Sequence, residues 1–286
     1  MICAQHRYPS PVCYLFYGRF TSAKFIAKPA AESHTADAKM KTISNLYVAL
    51  LAVLWLLAGV GQAETLAKWS SVEVILKRNV EALGGEKAML ALNNREARGK
   101  IELMAFGAAI PVILRHAAPN KEMMELTIEG QGTVRDVFIG RKGWIETPDG
   151  RVTEKKEREL ANKKIDADFH AYLNLKKNYP KIELQGVEQL DGKKVHAVKM
   201  TPKNGDADTF YFDTATGLVA GVSSTADMQG QEVETKVLFR DYKKVDGVNI
   251  PHTLEMKEPA FAAFTIRLES IKHNVTDTSK WFNKTK

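Results

Sequence analysis

The spacing of apolar positions along the chain changes twice. After Trp69, Ser70 stands three residues ahead of Glu73, as in a capping box, and Val72, Ile75, Leu76, Val80 and Leu83 recur at helical intervals. This spacing predicts a helix with one buried face, stopped by Gly84-Gly85, and a short second helix over 86–92. From Gly99 the period becomes two. Ile101, Leu103 and Ala105 alternate with Lys100, Glu102 and Met104, and Ile110, Val112 and Leu114 follow a turn at Gly107. Further strands are predicted over 124–128, 134–139 and 143–145, ending at the turn Pro148-Asp149-Gly150. Residues 153–178 interrupt this pattern with a mixed run of charges leading into Ile165, Phe169, Tyr172 and Leu173, which predicts a helical insertion lying across one sheet face. Period two then resumes over 182–189, 195–200, 208–212, 218–225, 232–242, 248–256 and 262–272, with hairpin signals at Asp191-Gly192 and Asp246-Gly247. The fold class is therefore mainly β (α+β), an antiparallel meander of about a dozen short strands with a few short helices.

Sorting the strands by side gives one apolar face: Phe210 and Phe212; Val233, Val237 and Phe239; Val248, Ile250, Leu254 and Met256; Phe264, Ile266 and Leu268. Glu234, Lys236, Arg240, Thr265, Arg267 and Glu269 point the other way, so the sheet has one wet side and one greasy side. The helices available to cover the greasy side are few and short. A curled sheet of this size is thus expected to hold an apolar hollow between itself and the helices, with Met124, Trp144, Phe210, Phe212, Val237, Phe239, Ile250, Leu254, Phe264 and Ile266 as its candidate lining. The alternative is that the helices fill the concave side and these residues are ordinary core.

Composition adds an export signal and removes several chemistries. Met40-Lys41 precedes an apolar run over 46–60, followed by Gly61-Gln62-Ala63, with small residues at both positions read by a signal peptidase. A run of about 15 residues falls short of the roughly 20 that span a bilayer. Residues 40–63 are therefore read as a cleaved signal peptide and 64–286 as one exported domain. Residues 1–39 are an upstream extension, either untranslated because synthesis starts at Met40 or the cytosolic tail of a signal anchor. Six of the 41 basic residues and two of the 34 acidic ones precede Glu64, so downstream the excess is only three positive charges and gives no nucleic-acid footprint. Both cysteines, Cys3 and Cys13, lie in the extension, leaving the domain without a disulfide, a thiolate or a lipidation site near the cut.

Asp166 and His170 have the spacing of a metal pair on one helix face but lack a third ligand nearby, and are read as a solvated face. The stretch from Asn204 to Asp208 resembles half a calcium loop without the distal glutamate, and is read as a turn. His116, His170, His196, His252 and His273 are scattered, and no nucleophile elbow, phosphate loop or dinucleotide fingerprint is present. No catalytic residue, metal or cofactor is expected. The charge run from Lys155 to Lys164 is expected to be a solvated helix face rather than a headgroup site.

The succession Ala82-Leu83-Gly84-Gly85, Ala118-Pro119-Asn120-Lys121, Gly140-Arg141-Lys142-Gly143-Trp144, Leu184-Gln185-Gly186-Val187, Asp191-Gly192-Lys193, the stretch from Tyr211 to Leu218 and the stretch from Asp241 to His252 resembles bacterial outer-membrane lipoprotein-sorting-protein-like domains. These are the loosely characterised relatives of the LolA and LolB carriers. The resemblance spans nearly the whole exported part and implies a strongly curved antiparallel half-barrel of about eleven strands with helices over its concave face. It also implies a periplasmic location and an apolar cavity for a lipid or lipoprotein acyl chain. The function expected is a carrier or binding protein without covalent chemistry, working as a monomer. The rival is a periplasmic sensor domain that binds an envelope protein partner, since the same half-barrel resembles such regulators.

Overall fold

In the computed structural model, residues 71–284 are described apart from 105–106, 204–206, 229–230 and 258–262; the extension and the signal segment, residues 1–63, lie outside the described residues. The first helix, α1 (Val72–Leu83), begins one residue later than the Glu73 spacing indicates. Its N-cap is Ser71, whose Oγ accepts from the Val74 amide at 3.3 Å. Gly84, at φ +124°, ends the helix, with its amide and that of Gly85 bonded back to Glu81 and Val80. The predicted second helix is α2 (Glu86–Leu90).

Thirteen strands form one antiparallel sheet: β1 (Asn94–Leu103), β2 (Ala108–Ala117), β3 (Lys121–Ile128), β4 (Gly132–Ile139), β5 (Lys142–Glu146), β6 (Val152–Glu154), β7 (Lys181–Leu190), β8 (Lys193–Thr201), β9 (Asp208–Asp213), β10 (Val219–Met228), β11 (Gln231–Val245), β12 (Val248–Lys257) and β13 (Phe264–His273). The expected count is exceeded. β6 escapes the alternation because it is three residues long and exposed throughout. The predicted helical insertion is two helices, α3 (Glu157–Asp166) and α4 (Leu175–Asn178), separated by hydrogen-bonded turns.

The strand order is β6-β5-β4-β3-β2-β1-β13-β12-β11-β10-β9-β8-β7. The first and last strands meet in the middle, and β6 and β7, neighbours in sequence, are the two opposite edges. Laid flat at about 4.8 Å per strand, the sheet would be roughly 58 Å wide. With fourteen of its residues helical and so only about 21 Å long, the segment 155–180 would reach across only if its other twelve residues were drawn out almost fully, yet most of these form tight turns. Its edges come within reach of one another only because the sheet curls. Ladder shifts at Arg98/Gly99, Leu184/Gly186 and Val219/Gly221 bend the strands, as bulges do. At Gly99 the β1 and β13 backbones approach so closely that a Cβ would stand 1.9 Å from the Arg267 carbonyl oxygen. The sheet remains open, with a concave side crossed by the helices.

The core has a part on each side of the sheet. On the concave side, Ile75 and Leu76 of α1 and Leu175 of α4 pack on Val198, Met200, Phe210, Phe212 and Val219. Leu83 of α1, Met89 of α2 and the following Leu92 pack on Val248 and Ile250. On the convex side, the C-terminal segment lays Trp281 and Phe282 over Met123, Val137 and Trp144. Arg135 fastens it, donating to the Trp281 carbonyl at 2.8 Å and the Asn283 carbonyl at 2.9 Å while paired with Glu146 at 2.9 Å.

Candidate functional site

The concave face is the candidate site, and its two halves are covered differently. Over β7–β12 the helices are seated by apolar contacts and by specific polar bonds. Arg78 donates to the Thr214 and Ala215 carbonyls, the buried Asn79 amide to the Gly217 carbonyl at 2.9 Å, and Asn249 to the Ala82 carbonyl at 2.7 Å. Phe210 and Phe212 belong to this plugged part, Phe239 packs on it, and Ile250 lies under α1 and α2. Phe210, Phe212 and Ile250 are core beneath helices, and Phe239 is half-buried at the border of that core.

A second apolar cluster lies on β1–β4. Ile101, Leu103, Ile110, Val112, Leu126 and Val134 are buried, and Leu114, Met124, Ile128, Ile145, Phe264 and Ile266 are part-buried against them. All twelve come from strands; no residue of the four helices belongs to this cluster. Met124, Phe264 and Ile266 of the expected lining are therefore brought together on a wall to which none of the described helices contributes. Val237 and Leu254 continue it by register, Val237 opposite Met256, Met256 opposite Phe264, and Leu254 opposite Ile266.

Trp144 is not part of it. Met124 pairs with Asp136 and Asp136 with Ile145, which puts Ile145 on the concave side and Trp144, opposite Val137, on the convex one. Its indole donates to Glu146 at 2.8 Å and its ring packs under the C-terminal segment. The three-residue apolar signal around Trp144 carries no face information because both faces of the sheet are buried there.

Between the wall and α3 lies a group of charges. The expectation of a solvated face holds for Lys156, Glu157 and Lys164, which are exposed, but not for two lysines: Lys155 Nζ lies 3.0 Å from Asp136 Oδ2, with both side chains almost wholly buried, and Lys163 Nζ lies 2.8 Å from Glu122 Oε1. Register places Arg95, His116 and Glu122 in one row across β1, β2 and β3. Burial, together with the Arg95 charge, lowers the His116 pKa to about 4, so its ring is neutral at pH 7. Burial alone would raise Glu122 and lower Lys163. Their mutual attraction, helped at Lys163 by Asp136 and Asp166, overrides this and keeps both charged.

A small cavity of about 90 Å³ opens where α1 and α2 meet the sheet, lined by Leu92, Phe169, Ile250, Arg95, Tyr172 and neighbouring residues. Sequence spacing gave no sign of it, since its lining comes from six separate elements and turns. His170, half of the weighed metal pair, closes one side: its Nε2 lies 3.1 Å from both the Met89 and Leu92 carbonyls. Among the described residues no three His, Cys, Asp or Glu side chains converge as a metal would require. Asp208, at the end of the half calcium loop, accepts from Ser224 at 2.6 Å and Tyr179 at 3.2 Å; residues 204–206 lie outside the described residues.

No protein-family model matches the chain, and no curated protein matches it. Solved structures do. A DUF1329 family protein from Desulfovibrio piger superposes with a TM-score of 0.53 at 15% identity, covering 74% of this chain and 97% of its own. A putative outer membrane lipoprotein-sorting protein domain from Vibrio parahaemolyticus gives 0.52 at 15% identity, covering 73% and 97%. A LolA superfamily protein from Nitrosomonas europaea gives 0.52 at 10% identity, covering 75% and 98%. Identities this low speak to architecture alone, and the architecture is that of an open, curled antiparallel sheet with helices on its concave face: the chain has a LolA-like fold.

Proposed function

We propose that the protein is a periplasmic carrier or binding protein for a lipophilic ligand, a lipid or lipoprotein acyl chain, delivered by the signal peptide at 40–63 and acting without covalent chemistry. The observation that carries this reading is the all-strand apolar wall on β1–β4, continued by Phe264 and Ile266. It is the part of the concave face to which no described helix contributes a core residue. The sorting role printed for the Vibrio structure fits such a wall. Among the described residues no helix is long and apolar enough to cross a membrane.

Burying about ten methylenes of an acyl chain there contributes roughly 8 kcal/mol before association costs, which suits reversible carriage. Access follows from the way the covers are attached. α1 is held by buried apolar side chains and carbonyl-directed bonds, whereas α3 has no wholly buried apolar residue, only part-buried Ile165 at the edge of the core, and is tied down through Lys163 and the adjoining Lys155. α3 is therefore the cover that swings away to admit a chain, shifting between two populations as ligand binds.

Native mass spectrometry of gently purified protein should show co-purifying lipid. Binding of a fluorescent fatty acid should fall at least about tenfold in Phe264→Asp and remain unchanged in Trp144→Phe. Full affinity in a folded Phe264→Asp protein would overturn the reading, and a stable protein partner captured without lipid would favour the sensor role.

A further inference from the structure

The small cavity beside α2 is amphipathic in a specific way. Four of its polar residues are committed to other groups. The His170 ring faces the Met89 and Leu92 carbonyls, Asn249 donates to Ala82, the Tyr242 hydroxyl donates to the Val219 carbonyl at 2.9 Å, and His273 pairs with Asp246 at 2.9 Å. Arg95 and Tyr172 remain. Among the described residues, neither the Arg95 guanidinium nor the Tyr172 hydroxyl has a hydrogen-bond partner, and no carboxylate lies within ion-pair distance of Arg95. The nearest acid in the row, Glu122, is two strands away and engaged by Lys163. Burial works against the Arg95 charge, partly offset by Tyr172 and Glu122, and pushes the Tyr172 phenol up to about 12, so at neutral pH both part-buried side chains are donors facing the cavity without a protein acceptor.

A part-buried guanidinium with no ion-pair partner, its burial offset only by the more distant Glu122, is favourably placed to receive an anion. Its five donors in a planar fork match a phosphate or carboxylate. Arg95 also shares its face of β1 with Ala97, which stands opposite Leu114 of the apolar wall, and with Ile101 and Leu103, so the wall begins about 7 Å from Arg95 and runs on for about 20 Å along the strand. We propose that Arg95, assisted by the Tyr172 hydroxyl, seats the anionic headgroup of the ligand while its hydrocarbon lies along the wall, making the protein selective for anionic amphiphiles. This rests on the carrier reading and adds a substrate class to it.

The test is calorimetric titration of the full chain with dodecyl phosphate, dodecanol and inorganic phosphate, each below its aggregation threshold. Dodecyl phosphate should bind about tenfold to a hundredfold tighter than dodecanol, the range of a charge-assisted hydrogen-bond pair. Arg95→Gln should abolish that preference and leave dodecanol affinity unchanged, Arg95→Lys should restore part of it, and Tyr172→Phe should lower it severalfold. Equal affinity of the wild-type protein for the two amphiphiles overturns the proposal while leaving the carrier reading intact, and needs no variant to fold. Inorganic phosphate binding as tightly as dodecyl phosphate also overturns it, because the anion alone would then be the ligand. Binding of neither amphiphile removes both the proposal and the carrier reading.

Discussion

His116 illustrates how one buried side chain sets a pH response. Its folded pKa of about 4 lies below the 6.5 of an unfolded chain, so between these values the unfolded state binds a proton that the folded state refuses. Stability is fully retained above pH 6.5 and is lost as the pH falls toward 4, by on the order of 3 kcal/mol from this residue. Urea midpoints of wild type and His116→Gln measured from pH 7 to 4.5 should converge toward the acid end, the variant having the shallower slope; parallel slopes would remove the assignment. The Lys155–Asp136 pair follows a different rule. Taking away one buried partner strands the other, so Lys155→Met should cost about 3–5 kcal/mol, while the double change Lys155→Met with Asp136→Leu should recover most of it. A double-mutant cycle by denaturant unfolding checks this, and additive losses would show that the two charges do not interact.

Among the elements, the C-terminal segment does most to explain what sequence spacing could and could not show. Strand β13 is legible because its outer residues Arg267 and Glu269 are exposed, so their alternation with Phe264 and Ile266 assigns the inner face directly, whereas in β9 Tyr211 is buried on the outer side as Phe210 and Phe212 are on the inner one. In β4 that signal disappears. Val134 through Phe138 are all buried, because the inner face meets the wall and the outer face lies under Trp281 and Phe282. The same cover conceals the true side of Trp144. Within the charge run at α3, spacing does not single out Lys155 and Lys163 from their exposed neighbours for a related reason: the acids that pair with them stand on β4 and β3, distant in sequence. If the segment is a fixed outer cover, Trp281→Ala should lower stability by about 3 kcal/mol, with the exposed Met123, Val137 and Trp144 patch raising dye binding. Fatty-acid affinity should stay at the wild-type value, since the patch and the wall are on opposite faces; a parallel loss of affinity would show that the two faces are coupled.

At the scale of the whole molecule, two meanders of six and seven strands are joined in the sheet by the β1–β13 ladder, and the strap carrying α3 and α4 ties their far edges together. This arrangement accounts for both curvature and access. The strap as folded is shorter than the flat sheet is wide, so it holds the concave side inward; α3 is tied down by the Lys163–Glu122 and adjoining Lys155–Asp136 pairs and by part-buried Ile165, and in the proposed carrier it lifts while both meanders stay folded. The edges are protected against pairing with another chain, β6 by its shortness and β7 by the bulge at Gly186. The ladder between the halves is the vulnerable place. A side chain at Gly99 would drive into the Arg267 carbonyl, and the backbone there cannot give way without parting β1 from β13. Gly99→Val is therefore expected to cost about 3 kcal/mol or more. It should also change the character of unfolding: Trp144 and Trp281 report on the first meander and far-ultraviolet dichroism on the entire sheet, so the wild type should show coincident transitions by the two probes and the variant separate ones. Coincident transitions in a folded Gly99→Val protein would mean that the strap alone keeps the two halves cooperative, and that lifting α3 to admit a ligand would cost much more than its charge contacts imply.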